Sequence, residues 1–128
     1  MDELKILNLT QHPATPAQLK AGVVDLPKAE LTELKKLLDF PSLPALGEIW
    51  AKAIGITAIA KSVGAKSVMI GGAPYLMASL ENNLRAEGIT PCYAFSKRES
   101  VETTSAAGEV VKTSIFVHGG FILPPYNI

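Results

Sequence analysis

His12, one of two histidines in the chain, closes a run in which Asn8, Thr10 and Gln11 can each donate or accept a hydrogen bond. Alternation along a strand sets Asn8 and Thr10 on one face and leaves His12 just past the strand end. Two readings compete. Either these side chains aim at a ligand, with an imidazole available for proton transfer, or Asn8 and Thr10 satisfy the backbone of a turn and His12 is solvated. A second run, Ile70-Gly71-Gly72-Ala73-Pro74-Tyr75, joins a strand to a helix. Two glycines there allow a ligand close to the backbone, and the free N–H groups of a helix start favour an anion. The alternative is a tight turn that needs positive φ, with Tyr75 packed on the sheet rather than stacked on a base. A third run, Ser96-Lys97-Arg98-Glu99-Ser100, offers two adjacent cations and two hydroxyls that could hold a phosphate. Its alternative is a solvated loop with a Glu99 salt bridge, worth little.

These runs gain meaning from the elements that place them. Leu4–Thr10 reads as a buried first strand ending at Gln11-His12-Pro13. Thr15, Pro16 and Gln18 then occupy the N-cap, N1 and N3 positions of a short helix. Val23-Val24-Asp25 is a brief second strand. Lys28–Asp39 is helical, with Leu31, Leu34, Leu37 and Leu38 forming one apolar stripe. A third helix follows the break at Phe40–Pro44 and ends near Gly64, weakened in its middle by Gly55 and Thr57, where a kink or split would fall. Lys66–Ile70 is a central strand and Pro74–Glu87 a helix. Pro91–Ser96 is the next strand, and Val101–Thr104 with Val110–Phe116 form a terminal hairpin. Strands alternating with helices predict one α/β domain over 1–128. It is a small Rossmann-like domain, a mainly parallel sheet with helices on both faces and a C-terminal antiparallel hairpin. In such a sheet ligands bind at the carboxyl ends of the strands, where the three runs lie.

Composition narrows the chemistry. The chain has 128 residues, 48% apolar and 19% charged, enough for a core. Its 12 basic and 12 acidic residues cancel, which argues against duplex DNA bound through a broad basic face. One cysteine, Cys92, cannot form an intramolecular disulfide or a cysteine-rich zinc site and reads as structural. Two histidines without an HExxH motif or paired acids give no metal centre, and no cofactor is called for. No apolar run reaches the length of a membrane span, and the start MDELKILNLTQHP has acids where a signal peptide needs basic residues. A cytoplasmic protein without a membrane partner is the expectation. His118, with no acid beside it, reads as exposed or core, and Trp50 as core or dimer interface. Ser62 and Ser79 lack a nucleophile-elbow context.

The opening LNLTQHPATPAQ resembles the start of small CRISPR-associated proteins of type III systems. The runs PCYAFSKRESVE and GEVVKTSIFVHGGF are similar to those families' strand, basic turn and terminal hairpin. The likeness implies a Rossmann-like relative of the CRISPR-associated nucleotide-sensing domain. Such proteins form homodimers, bind cyclic oligoadenylate second messengers across the dimer axis, and in some cases cleave them as ring nucleases. Carried over, it places a ligand loop at Asn8, Thr10 and His12, a backbone cradle at Gly71 and Gly72, and phosphate contacts at Lys97 and Arg98. Together with the three runs above, the expected ligand contacts are Asn8, Thr10, Gln11, Gly71, Gly72, Ala73, Tyr75, Ser96 and Ser100, and the expected catalytic residues His12, Lys97 and Arg98. Where a basic residue would follow the second aromatic of the last strand, this chain has Ile122.

The implied reaction is metal-independent attack of a ribose 2′-hydroxyl on its adjacent phosphate, which needs mostly positioning and charge stabilisation. It favours an enzyme in antiviral defence. Two rivals are a module that binds or sequesters the ligand uncut, and an interaction protein with no nucleotide ligand.

Overall fold

A computed structural model describes residues 5–124; the acidic start and the end of the run LPPYNI lie outside them. Nine elements follow in order. They are β1 (Ile6–Asn8), α1 (Pro16–Lys20), β2 (Val23–Val24), α2 (Lys28–Leu38), α3 (Leu46–Ser62), β3 (Ser67–Met69), α4 (Pro74–Ala86), β4 (Thr90–Thr104) and β5 (Val110–Ile122). The five strands form one sheet in the order β2-β1-β3-β4-β5, parallel except for the antiparallel β4–β5 pair. The chain steps from β1 to β2 in one direction and from β2 through β3 to β4 in the other. Right-handed crossovers therefore put α1 on one face and α2, α3 and α4 on the opposite face. The small Rossmann-like architecture anticipated from the sequence is present, with very unequal faces.

Side-chain alternation separates the two faces. Leu7, Leu9, Val68 and Ile70 pack with Leu34, Ala53, Ile56, Leu76, Leu80 and Leu84 in the main core beneath the three helices. Ile6, Val23, Met69 and Cys92 turn the other way and meet only Ala14 and Phe121. That thin face is closed by no buried residue of α1.

Local chemistry explains the helix ends. Thr15 and Gln18 form a reciprocal capping box, and Pro16 supplies the fixed φ of a first turn. Helix α3 runs without interruption through Gly55 and Thr57. Thr57 Oγ1 donates to the Ala53 carbonyl inside the helix, and Gly55 lets Leu37 of α2 come close, since a Cβ there would lie 3.1 Å from Leu37 Cδ1. The expected weak point is a packing notch. On the outer side of α3, Leu46, Trp50 and Ile54 recur every fourth residue and are all more than half exposed.

The largest departure from the sequence reading lies at the end of the chain. The segment Ser96–Ser100 is not a loop between strands: β4 continues through it for 15 residues, paired with β5 as far as Thr104↔Val110. From Cys92 to Thr104 no glycine, proline, asparagine or aspartate interrupts the strand, and its partner is rich in β-branched residues, so the ladder continues. Beyond Tyr93 the pair leaves the sheet as a two-stranded ribbon, exposed on both faces over most of its length.

Candidate functional site: a cleft at the switch point of the sheet

The strand order reverses between β1 and β3, the position where open α/β sheets bind ligands. An open cavity of about 690 Å³ lies there, lined by Thr10–Pro13, Thr15 and Gln18 after β1, Met69–Ala73 after β3, Leu38, and Tyr93 and Ala94 of β4.

Asn8 shapes its first wall. It is buried, at 3% exposure, and its amide group is fully committed within the chain. Nδ2 donates to the His12 carbonyl at 2.8 Å and to Asp25 Oδ1 at 2.9 Å, while Oδ1 accepts from the Thr10 amide at 2.9 Å and the Thr10 hydroxyl at 2.7 Å. Asp25 Oδ1 also accepts the Ala14 amide at 3.0 Å, tying the far end of the loop. Asn8 therefore builds the loop from below and is not among the residues that line the cavity. Thr10, Gln11 and His12 do reach the cavity. The His12 ring is exposed, and its one polar neighbour among the described residues is the Gln11 amide at 3.5 Å. Among the described residues no carboxylate hydrogen-bonds to it.

The second wall is the glycine turn. Gly72 adopts φ +149°, open to glycine and strained for other residues, and a Cβ on Gly71 would lie 3.4 Å from the Thr10 methyl. Gly71, Gly72 and Ala73 thus sit beside the Thr10 loop at the start of α4, where Pro74 has no amide hydrogen and the Leu76 amide already donates to the Ala73 carbonyl at 3.0 Å. Tyr75 is not part of the lining. Its ring, half exposed, meets Phe40 edge-on with centroids 5.1 Å apart.

Two lining contributions escaped the sequence reading. Tyr93 and Ala94 enter because β4 lies beside β3, which only the strand order reveals. The Tyr93 hydroxyl donates to Glu81 of α4, which also pairs with Arg85 at 3.5 Å. Burial, then the Glu81 hydrogen bond, pushes that hydroxyl's pKa well above the ordinary tyrosine value. Burial likewise raises the neighbouring Cys92 thiol to about 11, so it stays protonated and unreactive near neutral pH. Asp25 is a third residue that sequence reasoning missed; an acid directly after a short strand was its one signal.

The third run lies elsewhere. Ser96, Lys97, Arg98 and Ser100 are outside the cavity, on the ribbon. Alternation puts Ser96, Arg98 and Ser100 on the thin face of the sheet, the side of Cys92, and Lys97 on the opposite side with Tyr93 and Phe95. The two adjacent cations cannot converge on one phosphate within one chain. Neither forms an ion pair among the described residues, so the Glu99 salt bridge is absent too.

A family model matches residues 4–122, which takes in every strand and helix. The chain belongs to the uncharacterized protein MJ1673 family. Both the cleft and the ribbon are within the matched span. No curated protein and no solved structure matches the chain. Among the described residues no helix is long and apolar enough to cross a membrane, and no group of three or more His, Cys, Asp and Glu could hold a metal ion.

Proposed function

We propose that this protein binds cyclic oligoadenylate second messengers and cleaves them without a metal, as a homodimeric, cytoplasmic ring nuclease that switches off type III CRISPR signalling. The observation that supports this reading is the continuity of the cleft with the ribbon. Ala94 lines the cavity, and Ser96 and Arg98 follow it on the same strand face, at steps of about 7 Å. A ligand with bases in the cleft and phosphates along the ribbon suits that layout better than a compact mononucleotide.

In the proposed reaction a 2′-hydroxyl attacks its adjacent phosphorus, the P–O5′ bond breaks, and the products are a 2′,3′-cyclic phosphate and a free 5′-hydroxyl. His12 takes the 2′ proton and passes it, directly or through water, to the departing 5′-oxygen, so protons balance. Arg98 or Lys97, from the same or the partner subunit, stabilises the charge on the phosphoryl oxygens. A second copy is supported by the exposed stripe Leu46, Trp50 and Ile54 on α3.

Incubation with cyclic tetra-adenylate in excess EDTA tests the reading. Linear products ending in cyclic phosphate are expected, with turnover at least about tenfold slower in Arg98→Ala, a loss of about 1.4 kcal/mol or more. Intact ligand and an unchanged melting temperature would overturn it. The lone, unoriented His12 ring favours a second reading, a protein that sequesters the ligand uncut. Its signature is intact ligand with a raised melting temperature.

A further inference from the structure

A β-bulge changes which side chains share a face of the ribbon. Phe95 pairs with Gly120 but Ser96 pairs with His118, so Gly119 is the extra residue. With strict alternation, positions 118 and 121 would lie on opposite faces. The bulge brings both to the thin face, where the His118 ring meets Phe121 edge-on at 5.0 Å. Gly120, at φ +122°, supplies backbone freedom there.

The ladder then sets Ser96 opposite His118, Arg98 opposite Phe116, and Ser100 opposite Ser114. Opposed residues stand about 5 Å apart at Cβ and diagonal ones about 7–8 Å, within reach of an arginine side chain. The Arg98 guanidinium lies 5.4 Å from the Phe116 ring centre, which steadies it without neutralising its charge. Glu99 is on the other face. Glu102, the next acid on this face, is paired with Lys112 at 3.7 Å. His118 is half-buried, and its Nδ1 is shut off from solvent with no hydrogen-bond partner among the described residues. With Nδ1 turned into the protein, Nε2 is the ring nitrogen open to a ligand on this face.

We propose that Arg98, flanked by His118 and Ser96 on one side and by Ser100 and Ser114 on the other, forms a phosphoryl-binding site on the open face of the ribbon, just beyond the cleft that His12 lines. The guanidinium provides a two-pronged donor for phosphate oxygens, the serines add neutral donors, and the imidazole completes the set. The site rests on the functional reading above for which phosphate ester it holds, but its chemistry requires only a phosphoryl group.

The chain's two histidines make the test direct, since both imidazoles can be followed by nitrogen–proton correlation spectra and assigned with His12→Gln. Titration of the full chain with inorganic pyrophosphate is expected to shift the His118 signals saturably and leave those of His12 in place. Arg98→Ala should abolish the His118 shift, and Arg98→Lys, which keeps charge but not the fork, should weaken it at least severalfold; unchanged hydrogen-exchange protection of the Val110–Val117 amides confirms that the ribbon stays paired in both variants. An unmoved His118, or an equal shift in Arg98→Ala, would overturn the site. If cyclic tetra-adenylate is cleaved while pyrophosphate leaves His118 unmoved, the site fails and the nuclease reading survives. A saturable, Arg98-dependent shift without any effect of cyclic tetra-adenylate supports the site and sinks the nucleotide reading.

Discussion

Asn8 shows how one side chain can look like a ligand contact and serve as a brace. An asparagine at a strand end has two donors and one acceptor oxygen with two lone pairs, and here all four positions are used within the chain. Removing it leaves the half-buried Thr10 amide and the exposed Asp25 carboxylate each short of one bond and opens a gap at the buried Asn8 position. Asn8→Ala should therefore cost about 1–3 kcal/mol in urea denaturation. A loss below about 0.5 kcal/mol would mean that the Thr10–Pro13 loop is held by something else. At the same scale, neither histidine has the surroundings its sequence neighbourhood suggested. His12 has rich polar neighbours in sequence, but among the described residues only Gln11 has a polar atom within hydrogen-bond distance of its ring. His118 has none in sequence, yet the bulge delivers it to the face of Arg98.

Among the elements, the ribbon is the one whose stability is least assured. Two strands without a third are marginal in water, and past Tyr93 the β4–β5 pair has no further neighbour in the sheet. Its geometry depends on Gly119 and Gly120. A Cβ at Gly119 would come within 2.8 Å of the Phe95 ring, and Gly120 holds a φ that other residues resist. Gly120→Ala stores strain of about 1–3 kcal/mol in the bulge. Hydrogen exchange should therefore quicken at least about tenfold for amides of Val110–Val117, and remain unchanged in β1 and β3, because the ribbon opens apart from the core. Uniform acceleration across the sheet would show instead that ribbon and core unfold together.

For the whole molecule, the unequal covering of the sheet is the dominant feature. Three helices bury the main core and a small cluster fills the thin face, while Phe116 of the ribbon and the outer side of α3 keep apolar side chains in water. Leu46, Trp50 and Ile54 make an apolar stripe with the spacing of a helix–helix seam. The proposed dimer predicts two-chain species at tens of micromolar in sedimentation equilibrium, and Trp50→Glu should shift them to monomers without lowering the melting temperature of the monomer. A wild-type protein that sediments as one chain would remove the dimer from the reading.

The amino-acid order alone determined the parallel α/β layout, the capped helix at Pro16, the glycine turn after β3 and the polar loop after β1. All of these rest on interactions within a few residues: periodicity, capping hydrogen bonds and the φ preferences of proline and glycine. Tertiary structure decided everything that depends on neighbours across the sheet. Strand order placed Tyr93 and Ala94 in the cleft, and pairing with β5 turned the supposed basic loop at Ser96–Ser100 into strand. That pairing sent Lys97 and Arg98 to opposite faces, since successive residues of a strand diverge whereas those of a loop can converge. The bulge at Gly119 then brought His118 beside them on one side only, because a single extra residue reverses the alternation of all that follow.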